Sequence, residues 1–220
     1  HLLRRLLGWK DAPSGTIFNM SVGYNLEGIM SPPMQRFMAR LEDASAEIAQ
    51  LQAVLIDQFS DMPIPLPLPD LPTRLTNSVT LSTMHGCPPD EIEAIARYML
   101  VERGLHTFVK LNPTLLGKDA VLDILHNHLG YREIHIPDPV FAHDLQYDRA
   151  VAMLRALKQT AAERGLTFGV KLSNTLAMAN HRDALPGDEM YMSGRALYPV
   201  TMNLFHKLMQ AFDGDLNVSY

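Results

Sequence analysis

Short bursts of alternating apolar and polar residues recur along the chain, and between them apolar residues return every three or four positions. A strand turns successive side chains to opposite faces, so the alternation predicts strands at 17–22, 79–83, 107–111, 132–136, 167–172 and 216–220. Helical spacing predicts helices at 32–59, with a break allowed near Ser45, and at 89–103, 118–129, 146–164 and 199–212. Ser31-Pro32-Pro33 supplies a cap and first-turn prolines for the first helix. Gly104, Gly130 and Gly165 stand where three helices should end. Prolines at 63, 65, 67, 69 and 72 make that stretch an extended connection. Strands alternating with helices predict an α/β fold, a (β/α)8 TIM-barrel-like domain with about six βα units present, filling residues 1–220 as one incomplete domain. An open doubly wound sheet is the alternative, disfavoured because no glycine-rich nucleotide turn follows a strand.

Splitting each strand into its two faces sharpens the barrel expectation. Phe18, Met20 and Val22 oppose Asn19 and Ser21; Val79 and Leu81 oppose Thr80 and Ser82; Val109 and Leu111 oppose Lys110, with Asn112 in phase. Ile134 and Ile136 oppose His135, Val170 and Leu172 oppose Lys171 and Ser173, and Leu216 and Val218 oppose Asn217 and Ser219. The apolar sets should meet the helices and the polar sets the lumen. An ammonium in a lumen is costly without a counter-charge, so Lys110 and Lys171 call for an anion or polar ligand, or for a structural carboxylate.

Composition removes several functions. The 220 residues carry 19 Lys+Arg against 24 Asp+Glu, a formal net charge of -5, with no basic cluster for a phosphate backbone, so no nucleic-acid partner is expected. No uncharged apolar run reaches the roughly 18 to 20 residues that span a bilayer. The single cysteine, Cys87, excludes an internal disulfide framework and a multi-cysteine metal site within this segment. The expected location is the cytoplasm. His1 in place of an initiator Met, and a last strand at the end, lead to the expectation of a piece cut from a longer polypeptide.

Candidate chemistry gathers at the strand ends. Ser82-Thr83-Met84-His85-Gly86-Cys87-Pro88-Pro89 leads from the second strand into a helix, which should put Cys87 at the catalytic mouth of a barrel and at a helix N-terminus, where the dipole lowers a thiol pKa. Val109-Lys110-Leu111-Asn112-Pro113-Thr114 and Val170-Lys171-Leu172-Ser173-Asn174-Thr175 are near copies, each ending a strand. A competing set is His135, Asp138, His143 and Asp144, which could bind a divalent metal in a hydrolase or aldolase.

Four segments carry a family resemblance: Ser21-Val22-Gly23-Tyr24-Asn25-Leu26-Glu27-Gly28-Ile29, Leu81-Ser82-Thr83-Met84-His85-Gly86-Cys87-Pro88-Pro89, Val109 to Thr114 as above, and Met192-Ser193-Gly194-Arg195-Ala196-Leu197-Tyr198-Pro199. They resemble the N-terminal barrel of the selenate reductase iron-sulfur and flavoprotein subunit family. That resemblance implies an oxidoreductase with FAD, NAD(P)H and 4Fe-4S clusters on other domains, and other redox domains or subunits as partners. More distantly the barrel is similar to the FMN domain of dihydropyrimidine and dihydroorotate dehydrogenases, which implies FMN in the complete barrel. In that likeness Cys87 matches the cysteine that exchanges a proton as hydride moves, and Lys110 and Lys171 both match the lysine beside the flavin. Asn174 and Thr175 match an Asn-Thr pair near substrate and flavin, and Ser193-Gly194 the loop that follows.

The expected function is therefore electron transfer between NAD(P)H, flavin and a small substrate. Cys87, Lys110 and Lys171 are the candidate catalytic residues. Asn19, Ser82, Asn112, Asn174, Thr175, Ser193 and Gly194 are the candidate cofactor contacts, and no resident metal is expected. A docking barrel that has lost its flavin, within an electron-transfer complex, and the metal-dependent hydrolase or aldolase are the rival readings.

Overall fold

A computed structural model describes residues 18–60, 72–82 and 87–220. Along the chain lie β1 (Asn19–Val22), α1 (Leu26–Met30), α2 (Pro32–Glu42), α3 (Ser45–Gln58), β2 (Ser78–Ser82), α4 (Pro89–Val101), β3 (His106–Leu111), α5 (Lys118–Leu122), α6 (Asp138–Ala142), α7 (Tyr147–Glu163), β4 (Phe168–Leu172), β5 (Leu176–Ala179), β6 (Glu189–Met192), α8 (Tyr198–Ala211) and β7 (Asn217–Ser219). The chain divides into two compact units, residues 1–20 with 30–78, and residues 21–29 with 79–220. The prolines at 63 to 69, His85 and the expected strand residue Ile17 lie outside the described residues.

In the first unit the expected long helix is two. Asp43 adopts an extended conformation (φ -143°, ψ 101°) after α2, and its carboxylate accepts the N–H of Ser45 at 3.0 Å, which starts α3. The Ala44 N–H goes to Thr73 O at 2.8 Å, so the break is fixed by a chain crossing and not by propensity alone.

A five-stranded sheet has the order β1-β2-β3-β4-β7, and its strands β3, β4 and β7, all in the second unit, are parallel. Its helix side is apolar. Ile92, Ile95, Ala96, Met99 and Leu100 of α4, and Ala150, Met153, Leu154, Leu157 and Ala161 of α7, are buried at helical spacing. Each large side chain among them contributes about 1.5–3 kcal/mol. The two helices are also tied by Arg97 to Thr160 at 2.9 Å and by Arg149 to Glu93 at 2.8 Å. Gly104, Gly130 and Gly165 follow their helices with φ of 62°, 74° and 66°, the left-handed caps their positions call for.

Two features differ from expectation. Residues 132–136 form no strand. Ile134 closes a turn onto Tyr131 O at 3.1 Å, its own carbonyl is taken by the His126 ring at 2.9 Å, and Pro137 follows, so the segment offers little free backbone for a ladder. His135 is accordingly exposed, not lumenal, and its ring lies 4.9 Å from that of His181. In exchange, an antiparallel hairpin of β5 and β6 stands between β4 and α8, with Leu176 opposite Met192. The third expected helix, 118–129, is α5 continued by a π-helical turn over Asp123–His128.

Candidate active site

The missing strand has a direct chemical consequence. Because nothing intervenes, β3 and β4 are neighbours and the near-copy segments run side by side, with Val109 opposite Val170, Lys110 opposite Lys171 and Leu111 opposite Leu172. Lys171 in turn pairs with Ser219 of β7. Paired residues of a parallel sheet project to the same side, so Lys110, Lys171 and Ser219 form one polar row, on backbones about 4.8 Å apart. Both lysines are half-buried, while Val109, Leu111, Val170 and Leu172 on the opposite face are buried. Among the described residues no carboxylate forms an ion pair with Lys171.

One layer deeper the row is Phe108, Gly169 and Asn217. A Cβ added to Gly169 would meet the Asn217 carbonyl oxygen at 2.5 Å and the Phe108 ring at 2.6 Å. Glycine here lets the Phe108 ring close the floor below the lysines.

Beyond the strand ends, Asn174 N–H donates to Leu111 O at 2.8 Å and carries the β3–β4 pairing into the loop. Continuing the β5–β6 register by one residue sets Thr175 opposite Ser193, so the hairpin base gathers Asn174, Thr175, Ser193 and Gly194 after β4. Ser173 shares a hydrogen bond of 3.0 Å with Thr201 of α8, which fixes the start of this loop. Asn112 is turned elsewhere. Its amide donates to both oxygens of Asp144, at 3.0 and 3.1 Å, and Thr114 donates to the same buried carboxylate at 2.7 Å.

Cys87 lies between two small cavities of about 10 Å³ each, near the lower limit for one water. One is lined by Val22, Tyr24, Ile29, Leu81, Ser82, Ile92 and Ile95, the other by Ile92, Leu111, Asn112, Leu115, Asp144 and Leu145. The structure thus brings Cys87, Ser82 and Asn112 together. Asn19 belongs to the first unit, where it is exposed.

The expected depression of the Cys87 pKa is reversed. Burial, then the nearby charge of Glu91 and a thiol contact of 3.7 Å to its carboxylate, push the thiol up to about 11. Pro88 and Pro89 lack the N–H groups that a helix start would turn toward the sulfur, while the acidic Asp90 and Glu91 occupy that first turn. Glu91 is the site residue that the sequence reading missed. Its position four after Cys87 was a usable signal, since such spacing on one helix face brings side chains together.

The metal set does not assemble. Among the described residues no three His, Cys, Asp or Glu side chains form a group able to hold a metal ion. Asp138 pairs with Lys118 at 2.5 Å, and Asp144 is held by Asn112 and Thr114. A larger cavity of about 350 Å³ lies at Leu172, Tyr198, Thr201, Met202, Phe205, Val218 and Tyr220 and takes in none of the candidate residues.

Comparison with known proteins gives the family. The chain is 49% identical over 236 residues to "Putative oxidoreductase YgfK" of Escherichia coli strain K12, and equally to that of Escherichia coli O157:H7. Each match takes in 100% of this chain and 23% of the relative, so the chain spans about a quarter of the length of the curated relatives it matches. No solved structure matches. Among the described residues no helix is long and apolar enough to cross a membrane. The family model described as oxidoreductase YgfK, N-terminal TIM-barrel domain, matches residues 1–220, and the chain belongs to that family.

Proposed function

We propose that this domain is the reaction chamber of a larger, cytoplasmic flavin- and iron-sulfur-dependent oxidoreductase, which passes electrons from NAD(P)H through flavin to a small anionic or heterocyclic substrate. The observation that carries the proposal is the registered pair Lys110 and Lys171, side by side on β3 and β4 toward the end of the sheet where the hairpin base and Cys87 also lie. Two ammonium-bearing side chains at one level make a place suited to negative charge. The pair therefore fits an electron-rich ring, such as that of FMN, or an oxyanion of the selenate type.

When bound, the flavin supplies hydride or electron transfer. The chain's own residues do the rest. Lys110 and Lys171 stabilise negative charge as it develops, in a setting where solvent is partly excluded. Asn174, Thr175, Ser193 and Gly194 give polar contacts around the ring or substrate, and Ser82 and Asn112 border the sulfur. Asn19 is a further candidate contact. Cys87 exchanges the proton that accompanies reduction. FAD, NAD(P)H and 4Fe-4S clusters are assigned to the remainder of the longer protein, with the domains or subunits that carry them as partners.

Acid extraction of the full-length protein, with FMN separated from FAD, tests this reading. Wild type should release FMN in near-stoichiometric amount, and the Lys110→Met/Lys171→Met double variant should release at least tenfold less while FAD stays constant. Wild-type protein without FMN, or a double variant with unchanged FMN, contradicts the flavin assignment.

A further inference from the structure

We propose that Glu91 is the positioning residue of Cys87: it holds the sulfur as a protonated thiol, so that Cys87 serves as a proton donor and not as a thiolate nucleophile. The inference rests on the reading of Cys87 as the proton-exchanging group, but it is built from contacts of its own. One oxygen of Glu91 accepts the Leu26 N–H at 3.0 Å, which anchors the carboxylate across to α1. The other accepts from the Cys87 thiol at 3.7 Å. The carboxylate is therefore fixed from outside its own helix and stands beside the sulfur whether or not a substrate is present.

The surroundings reinforce it. Tyr24 lines one of the two cavities beside Cys87, and the buried Asp144 lines the other. Among the described residues lining these cavities there is no cationic side chain. A thiolate formed here would sit half-buried beside the Glu91 carboxylate, and the upward push on the thiol comes first from burial and then from Glu91.

The consequence for chemistry is specific. The S–H bond breaks only when a strongly basic centre develops on the substrate, the proton passes to that centre, and the sulfur regains a proton from water because a thiolate beside Glu91 is unfavourable. The same arrangement protects the sulfur from electrophiles, since the thiolate is the reactive form.

The test is the rate of iodoacetamide alkylation at Cys87 in the full-length protein, read by mass spectrometry of the Cys87 peptide from pH 6 to 11. In wild type the rate should rise with a midpoint near 11. Glu91→Gln keeps an acceptor for Leu26 but removes the charge; it should lower the midpoint and raise the rate at pH 8 roughly tenfold, one pKa unit being one decade of thiolate. An unchanged or slower rate in a folded Glu91→Gln protein overturns the proposal. If that variant does not fold, Glu91→Asp, which draws the charge back, should still lower the midpoint, and no shift overturns the proposal equally. Turnover separates this from the functional reading: Cys87→Ala with full turnover sinks catalysis by the thiol but leaves the alkylation result intact.

Discussion

Gly169→Ala should destabilise the domain by about 3 kcal/mol, toward the upper end of overpacking costs. The new methyl carbon would stand 2.5 Å from the Asn217 carbonyl oxygen, 2.6 Å from the Phe108 ring and 2.9 Å from the Asn217 Cβ. The ring can rotate away. The carbonyl cannot, because it belongs to β7, whose register on β4 runs through Gly169 opposite Asn217. Relief therefore requires that β4 and β7 separate, and Asn217, which donates to Phe168 O at 3.0 Å, would lose that bond with them. Urea unfolding of the full-length protein, followed by protease sensitivity of this domain, measures the loss. Phe108→Leu in the Gly169→Ala background should recover only the part due to the ring. A midpoint equal to wild type in the single variant would mean that the three strands are not packed as described.

Lys171→Met has the opposite character, a large effect on activity with little cost in stability. Removing one of two like charges at the same level of neighbouring strands relieves repulsion, and methionine retains much of the apolar stem. The urea midpoint should stay level or rise. Turnover should fall about 100- to 1,000-fold, the range for losing one preorganised group that stabilises developing charge. Steady-state kinetics beside the unfolding curve checks both halves. Equal loss of stability and turnover would instead mark Lys171 as a structural residue.

Much of this was legible in the sequence, for reasons that can be named. Strands with a clear two-residue period, such as 107–111, and helices with strong apolar stripes, such as 146–164, appear within a residue or two of their expected bounds. The barrel fold and the oxidoreductase family follow the same reading. Residues 132–136 show the same two-residue period and yet form no strand, because alternation reports which side chains are apolar and not whether the backbone finds a ladder. The hairpin failed for the opposite reason: Leu176-Ala177-Met178-Ala179 has no alternation and helix-favouring residues, and its strand character comes from pairing with Glu189–Met192. That exchange of one strand for another turned two lysines, expected a strand apart, into neighbours. For Cys87 the helix position was read correctly, but burial, and after it the carboxylate one turn on, push the thiol up instead of down.

The central claim is that the Lys110 and Lys171 pair, with Cys87 nearby, marks the place where the redox chemistry occurs. A crystal structure of the full-length protein, soaked with flavin or with an anionic substrate analogue, tests it most directly. The expected result is a ring or oxyanion in hydrogen-bonding reach of both ammonium groups, with the Cys87 sulfur beside it. A ligand bound elsewhere, with both lysines paired to the protein's own carboxylates, would contradict it.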